Sequence, residues 1–250
     1  MWRATILTLF PDLFPGPLDA SILGRGRAEG LWALETVDIR DFSDSTYGSV
    51  DDTPAGGGAG LVMRADILAA AVDSVARNDR PLIYLSPRGR PFSQSRAAEL
   101  AAGPGAVLLC GRFEGVDERF LEARDVEEVS FGDAVLAGGE IPAMALIEAC
   151  ARLIPGVVGN ASSLGEESFS QSEDGRLLEY PQYTKPREFE GRAIPAVLLS
   201  GDHKKIAAWR REAAMRLTRA RRPDLLADHG GSTSAAPDPI RDNDNKDRKS

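Results

Sequence analysis

Strand-like and helix-like segments alternate through residues 1–155, and this alternation constrains the fold more than any other feature of the chain. The strand-like runs are short and apolar, and they cover residues 4–10, 31–39, 81–86, 106–111 and 126–136. Helix-like patterns lie between them at residues 65–77, 93–102 and 117–124. Short strands that alternate with helices of this length are typical of βα units, so the sequence predicts an α/β fold with a mostly parallel sheet.

The apolar segment EIPAMALIEACARL, residues 140–153, predicts one further helix, with Pro142 placed to open it. Its apolar residues fall on nearly every side of the helix rather than on one stripe. Such a helix must be covered by its neighbours, so we expect it to be buried.

The composition changes after Gly156. Residues 160–180 are rich in Ser, Glu and Gly and show no periodicity, which predicts a flexible linker. A small helical domain is predicted at residues 181–227, and the polar residues 228–250 predict a disordered tail. The α/β domain is therefore expected to span residues 1–159.

The helix predicted from His203 to Arg222 is strongly basic, although the whole chain carries a net charge of −8. Its apolar stripe consists of Ile206, Trp209, Ala213 and Leu217. Its cations are Lys204, Lys205, Arg210, Arg211, Arg216, Arg219, Arg221 and Arg222, against one acid, Glu212. Clustered cations are typical of a phosphate-binding surface, but a solvated helix face has the same pattern, and charge alone leaves both interpretations open.

Few side chains are available for metal or nucleophilic chemistry. Cys110 and Cys150 lie in apolar stretches that predict buried thiols, and the histidines are His203 and His229. A zinc site and a Ser-His-Asp triad are both poorly supplied, so any general base is expected to be a carboxylate. No apolar run is long enough to cross a membrane and the N-terminus predicts a strand, so we expect a cytoplasmic protein.

Three glycine-bearing loops are candidates for a small-molecule site. Residues 54–60, PAGGGAG, fit a nucleotide-loop pattern, but no buried strand precedes them, so a plain glycine loop is favoured. Residues 108–119, LLCGRFEGVDER, and residues 130–144, SFGDAVLAGGEIPAM, place glycines and polar side chains after predicted strands. Ligands bind beyond the carboxyl ends of strands in open α/β sheets, so the three loops together favour a small-molecule site.

A series of motifs in fixed order extends this interpretation. They are LTLFPDLF, VDDTPAGGGAGLVM, YLSPRG, LLCGRFEGVDER, SFGDAVLAGGEIPAM, ARLIPGVVG, ESF, LLEYPQYTKP and PAVLLSGDHKKIAAWR. From Met1 to about Leu226 the chain resembles the bacterial tRNA (guanine-N1)-methyltransferases of the SPOUT superfamily. The resemblance implies an α/β domain ending in a trefoil knot that binds S-adenosylmethionine, a linker and a helical domain that grips tRNA. It also implies a homodimer with the active site at the subunit interface, and methyl transfer to N1 of the guanosine 3′ of the anticodon, position 37.

Carried over motif by motif, the resemblance implies a cofactor pocket built from loop glycines, backbone amides and a few side chains. Its expected members are Tyr84, Leu85, Ser86, Pro87, Gly111, Glu114, Ser130, Phe131, Gly132, Asp133, Ala134, Val135, Leu136, Gly138, Gly139 and Pro142. Phe113 and Ala134 stand where many relatives have tyrosine, so a contact that needs a hydroxyl there is not expected.

The resemblance also implies two catalytic residues. Guanine N1 must lose a proton, so a base is required, and a cation must stabilise the charge that grows on the neighbouring carbonyl oxygen. Arg152, in ARLIPG, matches the family's cation, although an arginine at a helix C-terminus has a structural interpretation too. Glu167, in EESF, matches the family's aspartate base, with Glu166 as the neighbour to distinguish from it.

Several points stay open at this level. Asp51 and Asp52 are either turn-forming acids or residues that position tRNA or a partner subunit. Magnesium is associated with the family's reaction, but the sequence has no identifiable ligand cluster. The alternatives to the main prediction are another SPOUT-type RNA methyltransferase and a knotted RNA-binding module without catalysis.

Overall fold

The computed structural model describes residues 1–159, 167–169, 171–172 and 175–227. The chain divides into two compact units, Met1–Leu164 and Gly165–Ser250. Much of the linker predicted at residues 160–180, and the whole tail predicted at residues 228–250, lie outside the described residues.

A five-stranded parallel sheet forms the centre of the first unit, which confirms the predicted α/β class. Its strands are β1 (Trp2–Thr8), β2 (Trp32–Asp38), β5 (Leu82–Pro91), β6 (Gly105–Leu109) and β7 (Val126–Ser130), in the order β2-β1-β6-β5-β7. A short antiparallel pair, β3 (Asp51–Asp52) and β4 (Val62–Met63), lies outside this sheet. Because β5 and β6 are central, their carboxyl ends are the natural place for a ligand.

Helices cover both faces of the sheet. They are α1 (Ser21–Ala28), α2 (Ala65–Asp73), α3 (Gln94–Ala102), α4 (Glu118–Ala123) and α5 (Glu140–Ala151), with 3-10 turns at Pro11–Leu13, Gly16–Asp19 and Ile39–Phe42. One core cluster contains α3 and α5, and the other contains α2 and α4. In β6, Leu108 faces the first cluster and Leu109 the second, as the period of two along a strand requires.

Helix α5 is the buried helix that its composition predicts. Ala143, Leu146, Ile147, Cys150 and Ala151 are fully buried in the first core cluster. The helix begins at Glu140, so Pro142 lies in its first turn, where no intrahelical hydrogen bond is lost. The helix ends next to Arg152, which is its C-cap residue.

One predicted strand was too long. The sequence predicts a strand over residues 126–136, but β7 ends at Ser130 and residues 131–139 form a loop. Ser130 Oγ lies 3.2 Å from both the amide nitrogen and the carbonyl oxygen of Gly132, whose φ is 120°. This local turn diverts the chain from the sheet, since a positive φ is incompatible with a strand.

The second unit is built on α6 (His203–Arg221) and the short α7 (Asp224–Ala227). Short antiparallel pairs precede them, β8 (Gln171–Ser172) with β9 (Gly175–Arg176) and β10 (Glu188–Phe189) with β11 (Arg192–Ala193). The predicted stripe of α6 is its inner face, with Ala213 buried and Ile206, Trp209 and Leu217 partly buried. In the part of the chain that is described, no helix is long and apolar enough to cross a membrane.

Candidate active site

A cavity of about 360 Å³ opens at the carboxyl ends of β5, β6 and β7. Three chain segments form its walls: the second half of β5, the turn after β6 and the loop after β7. The residues that line it are Tyr84, Leu85, Ser86, Pro87, Arg88, Gly111, Arg112, Phe113, Glu114, Gly115, Val116, Val129, Ser130, Phe131, Gly132, Ala134, Val135, Leu136, Ala137, Gly138, Gly139 and Pro142. Strand ends and glycine loops thus meet at one concave surface, where open α/β sheets bind their ligands.

The structure brings together every residue predicted for the cofactor pocket except Asp133, which does not line the cavity. The lining residues that were not predicted are Arg88, Arg112, Phe113, Gly115, Val116, Val129 and Ala137. All but Val129 lie inside the quoted motifs YLSPRG, LLCGRFEGVDER and SFGDAVLAGGEIPAM, so the motifs contained them without identifying them as pocket residues. Long-range packing decides which residues of a motif face the cavity, and local sequence carries no signal of it.

The loop 131–139 presents backbone donors to the cavity. It is tied at its end by Gly139, whose N–H donates to the Gly111 carbonyl oxygen at 3.0 Å, and near its start by the Ser130–Gly132 turn. Phe131 stacks on Phe92 with ring centroids 4.9 Å apart. Within the described residues, the backbone N–H groups of 135–138 donate no hydrogen bond to the protein. These donors are therefore available to a ligand.

Two glycines allow the walls to approach each other. A Cβ on Gly139 would lie 2.7 Å from the Cα of Cys110, so only glycine lets the loop cross β6 at this distance. A Cβ on Gly111 would collide with the Tyr84 ring. Burial raises the pKa of the Tyr84 hydroxyl, so it remains a neutral hydrogen-bonding group in the cavity wall at neutral pH.

The two cysteines are core residues, as their apolar surroundings predict. Cys110 and Cys150 are both fully buried and unpaired with each other. Burial raises the pKa of the Cys110 thiol well above its usual range and that of Cys150 to about 12. Both are therefore neutral thiols at physiological pH, and neither is suited to act as a nucleophile.

The two predicted catalytic residues do not line this cavity. Arg152 follows the last turn of α5, whereas Gly139 and Pro142 at the start of that helix border the cavity. The rise of an α-helix places Arg152 about 15 Å from Pro142 along the axis. Glu167 belongs to the second unit.

The residues around Glu167 are held within the second unit by the segment 177–179. Ser168 Oγ accepts from the Glu179 N–H at 2.9 Å, and the Phe169 N–H donates to the Leu177 carbonyl oxygen at 2.8 Å. The Leu178 N–H donates in turn to Thr218 Oγ1 of α6 at 2.9 Å. The ESF motif is thus connected to the basic helix α6 through the segment 177–179.

Comparison with known proteins gives the same family as the motifs. Residues 2–228 match the family described as tRNA (Guanine-1)-methyltransferase TrmD. A tRNA (guanine-N(1)-)-methyltransferase of Rhodopseudomonas palustris strain TIE-1 is 63% identical over 236 residues, which are 94% of this chain and 94% of the relative. Enzymes of the same name from Nitrobacter hamburgensis and Mesorhizobium japonicum are 62% and 60% identical, over 90% and 91% of this chain and 93% and 97% of their own.

The chain belongs to the tRNA (guanine-1)-methyltransferase family. The family predicted from the ordered motifs is confirmed, and with it the expectation of a methyltransferase enzyme. The matched region ends at residue 228, close to Leu226, where the resemblance read from the motifs ends.

The cavity suits the methyl donor that a methyltransferase of this family implies. S-adenosylmethionine combines a flat adenine, a sugar and an amino-acid arm, so its site needs an apolar slot, backbone hydrogen bonds and a few charged groups. Residues 135–138 offer free backbone donors, Leu85, Val129 and Leu136 offer apolar surface, and Glu114 and Arg88 offer charge. Among the described residues no group of three His, Cys, Asp or Glu side chains is placed to hold a metal ion.

The glycine loop 54–60 contacts the cavity wall in the first unit, and a surface hollow lies on α6 in the second unit. The glycine loop 54–60 leads into β4, and the N–H of Met63 donates to the Gly115 carbonyl oxygen at 3.0 Å, so the loop is joined to the cavity wall. Asp51 is paired with Met63 in the β3–β4 ladder, which places it at the base of this loop. In the second unit, a surface hollow is lined by Arg211, Arg216 and Arg219 of α6, together with Ala208, Glu212 and Met215.

Proposed function

We propose that this protein transfers a methyl group from S-adenosylmethionine to N1 of the guanosine at tRNA position 37, immediately 3′ of the anticodon. The observation that carries the proposal is the family match across residues 2–228 together with a cavity lined by the residues that the motifs predict. A small-molecule cavity alone would leave the reaction open, and the family match supplies the reaction class.

The cavity would hold S-adenosylmethionine between Tyr84–Pro87, Gly111–Glu114 and the loop 131–139. When bound, the cofactor supplies an electrophilic methyl group on a positively charged sulfur. The N–H groups of residues 135–138 would hold the adenine by its ring nitrogens. The carboxylate of Glu114 would interact with the positive charges of the ligand. We further propose that the segments crossing here form the trefoil knot of the SPOUT superfamily.

Two side chains would act on the guanine. Glu167 would accept the proton of N1, which turns the nitrogen into a nucleophile. Arg152 would stabilise the negative charge that develops on the neighbouring carbonyl oxygen. Glutamate is one methylene longer than the aspartate of many relatives, so its carboxylate would approach N1 from a greater backbone distance.

The position of Arg152 supports a homodimer. In one chain Arg152 lies at the opposite end of α5 from the cavity, so the arginine and a cofactor in that cavity are separated by most of the helix. We propose that a second chain brings its Arg152 to this cavity. Large apolar side chains that line the cavity are exposed, as a subunit interface requires: Phe113, Phe131, Val135 and Leu136. Phe10, which contacts Arg112, and Ile141, next to Pro142, are exposed as well.

The basic helix α6 would hold the tRNA backbone. Lys204, Lys205, Arg211, Arg216 and Arg219 are exposed. Phosphate binding needs accessible cations, and these five provide them on a protein whose net charge is −8. The proposed organisation is a cofactor domain at residues 1–159, a linker at 160–180 and a tRNA-binding domain at 181–227, in a cytoplasmic enzyme that meets its tRNA there.

The decisive experiment measures methyl transfer from labelled S-adenosylmethionine to an unmodified tRNA transcript with guanosine at positions 36 and 37. A matched transcript with adenosine at position 37 is the control. Transfer to the first transcript alone, with 1-methylguanosine as the product, is expected. Equal labelling of both transcripts would assign the enzyme to another RNA target. Cofactor binding without transfer to either would identify an RNA-binding module that lacks catalysis.

A further inference from the structure

Arg112 lies at the junction of four elements around the cavity. Its guanidinium group lies 4.3 Å from the centroid of the Phe10 ring, just beyond β1. Its Nε is 3.3 Å from Glu140 Oε1, and its Nη2 is 2.9 Å from Glu140 Oε2 at the start of α5. Its Nη1 donates to the Ala137 carbonyl oxygen at 3.2 Å. One side chain thus joins the ends of β1 and β6 to the loop 131–139 and to α5.

Glu140, the partner of Arg112, is an almost fully buried carboxylate. Only 1% of it is exposed, and its Oε1 also accepts from Thr8 Oγ1 at 2.8 Å. Its Oε2 has an ion-pair contact with Arg112 but no hydrogen bond of good geometry. Desolvation offsets most of the attraction in such a pair, so buried ion pairs are weak sources of stability. Stabilisation of the fold alone therefore does not account for this arrangement.

The contact with Ala137 connects the pair to the ligand site. The Ala137 carbonyl and the Gly138 N–H belong to one planar peptide group, in which they point in opposite directions. When Arg112 holds the carbonyl oxygen, it also fixes the direction of the Gly138 N–H, which donates to no protein acceptor among the described residues. Residues 134–137 are exposed, so little else restrains this part of the loop.

Gly138 shows how closely the loop crosses Arg112. A Cβ at this position would overlap Arg112 Nε and lie 2.6 Å from both Cδ and Cζ. The backbone of Gly138 has no positive φ, so the conformation does not require glycine there. The close approach to the guanidinium is therefore the structural reason for a glycine at position 138.

We propose that Arg112, held in place by Glu140, is a positioning residue that sets the loop 131–139 in its ligand-binding conformation before the cofactor arrives. The inference rests on the proposed function, since it assumes that the cavity takes S-adenosylmethionine. Preorganisation of this kind raises affinity because the loop loses less freedom on binding. Arg112 and Glu140 orient the backbone N–H donors of the loop, and neither of them is a catalytic residue.

The test compares Arg112→Lys with Arg80→Lys. Lysine keeps the charge next to Glu140 but lacks the planar fork that reaches Glu140 and Ala137 together. Arg80 is a matched control: it is 5% exposed, donates to the Ala76 and Arg77 carbonyl oxygens and to Thr5 Oγ1, and does not line the cavity. Amide hydrogen exchange without ligand and calorimetric binding of S-adenosylmethionine are measured for both variants and the wild type.

The expected result is faster exchange confined to residues 131–139 in Arg112→Lys and cofactor binding weakened about tenfold. Arg80→Lys should bind the cofactor as the wild type does, even if its melting temperature falls equally. Gly138→Ala, which displaces the guanidinium without removing it, should reproduce both effects. Normal loop exchange and normal affinity in Arg112→Lys and Gly138→Ala would overturn the inference. A wild type that binds no S-adenosylmethionine would instead overturn the proposed function, and this inference with it.

Discussion

Gly60 lies directly against the side chain of Glu114. A Cβ on Gly60 would overlap Cγ and Oε1 of Glu114 and lie 2.8 Å from its Cδ. Gly60 ends the glycine loop 54–60, and the N–H of Glu114 donates to the carbonyl oxygen of the next residue, Leu61, at 2.9 Å. The loop therefore forms the outer support of a side chain that lines the cavity.

Gly60→Ala should weaken S-adenosylmethionine binding about tenfold, because the new methyl group displaces the Glu114 carboxylate from the cavity. Gly57→Ala is the matched control. Its φ of 81° is close to the 87° of Gly60, but a Cβ there meets nothing within 4 Å. Both substitutions carry the same backbone strain, on the order of 1 kcal/mol, so only contact with Glu114 distinguishes them.

A double variant checks the mechanism of that effect by titration calorimetry. In a Glu114→Ala background the side chain that Gly60→Ala displaces is missing, so the second substitution should weaken binding little further. Additive losses in the double variant would show that Gly60 acts on the ligand by a route other than Glu114.

For the glycine loop 54–60, the sequence predicts the type of loop but not the contact that the loop makes. The sequence has no buried strand before PAGGGAG, which argues against a dinucleotide-binding fold. The strand that the structure has there, β3, is only two residues long, and neither residue is buried. Gly60 and Glu114 are 54 residues apart in the sequence, so no local pattern predicts their contact. The loops that follow the strands could be predicted as a ligand site because topology brings strand ends together, whereas the individual pocket residues were implied by the resemblance to the family.

The sequence did not predict helix α1 or the continuation of strand β5 beyond residue 86, for reasons that are visible in the structure. Helix α1 contains Gly24 and Gly26, which lower helix propensity. A Cβ on Gly26 would lie 3.0 Å from Val157 Cγ2, so this glycine permits close packing. Strand β5 continues through the polar residues 87–91 because Arg90 and Pro91 pair with β7 after a register shift. In both cases tertiary contacts outweigh local preference.

Arg152→Ala should abolish methyl transfer while leaving S-adenosylmethionine affinity within about twofold of the wild type. The reason is that Arg152 does not line the cofactor cavity of its own chain. Arg152→Lys should recover only part of the rate, since an ammonium group lacks the planar fork. Single-turnover kinetics with saturating tRNA give the rate, and calorimetry gives the affinity. Loss of cofactor binding in Arg152→Ala would show instead that Arg152 belongs to the cofactor pocket.

Glu167→Gln should lower the rate of methyl transfer by about 10²–10⁴-fold, which is the usual contribution of a general base. The amide keeps the size of the side chain but cannot take the N1 proton. Glu166→Gln serves as the control for register, with the same change at the neighbouring position. The measurement is the rate of methyl transfer as a function of pH. A larger loss of rate in Glu166→Gln than in Glu167→Gln would identify Glu166 as the general base.

Arg219→Ala should weaken tRNA binding and reduce the slope of log affinity against log salt by about one. Arg219 is an exposed cation of α6 in the hollow that Arg211 and Arg216 also line. Arg27→Ala, in the first unit, removes one arginine that pairs with Asp19 and should leave the slope unchanged. Filter binding of tRNA over a range of salt concentrations separates the two. Equal slopes for Arg219→Ala and the wild type would leave α6 as a solvated face.

Mixed dimers test whether Arg152 serves the cavity of its own chain or of its partner. Gly139→Ala should abolish cofactor binding, because its Cβ would lie 2.7 Å from the backbone of Cys110 and the loop would lose its hydrogen bond to Gly111. Neither an Arg152→Ala dimer nor a Gly139→Ala dimer should then transfer methyl groups. If Arg152 reaches the partner's cavity, each mixed dimer contains one site with an intact cavity and an intact arginine. Random exchange of the two chains should therefore restore about a quarter of the wild-type rate. If the cavity and Arg152 act within one chain, every site in the mixture lacks one of them, and no activity should return.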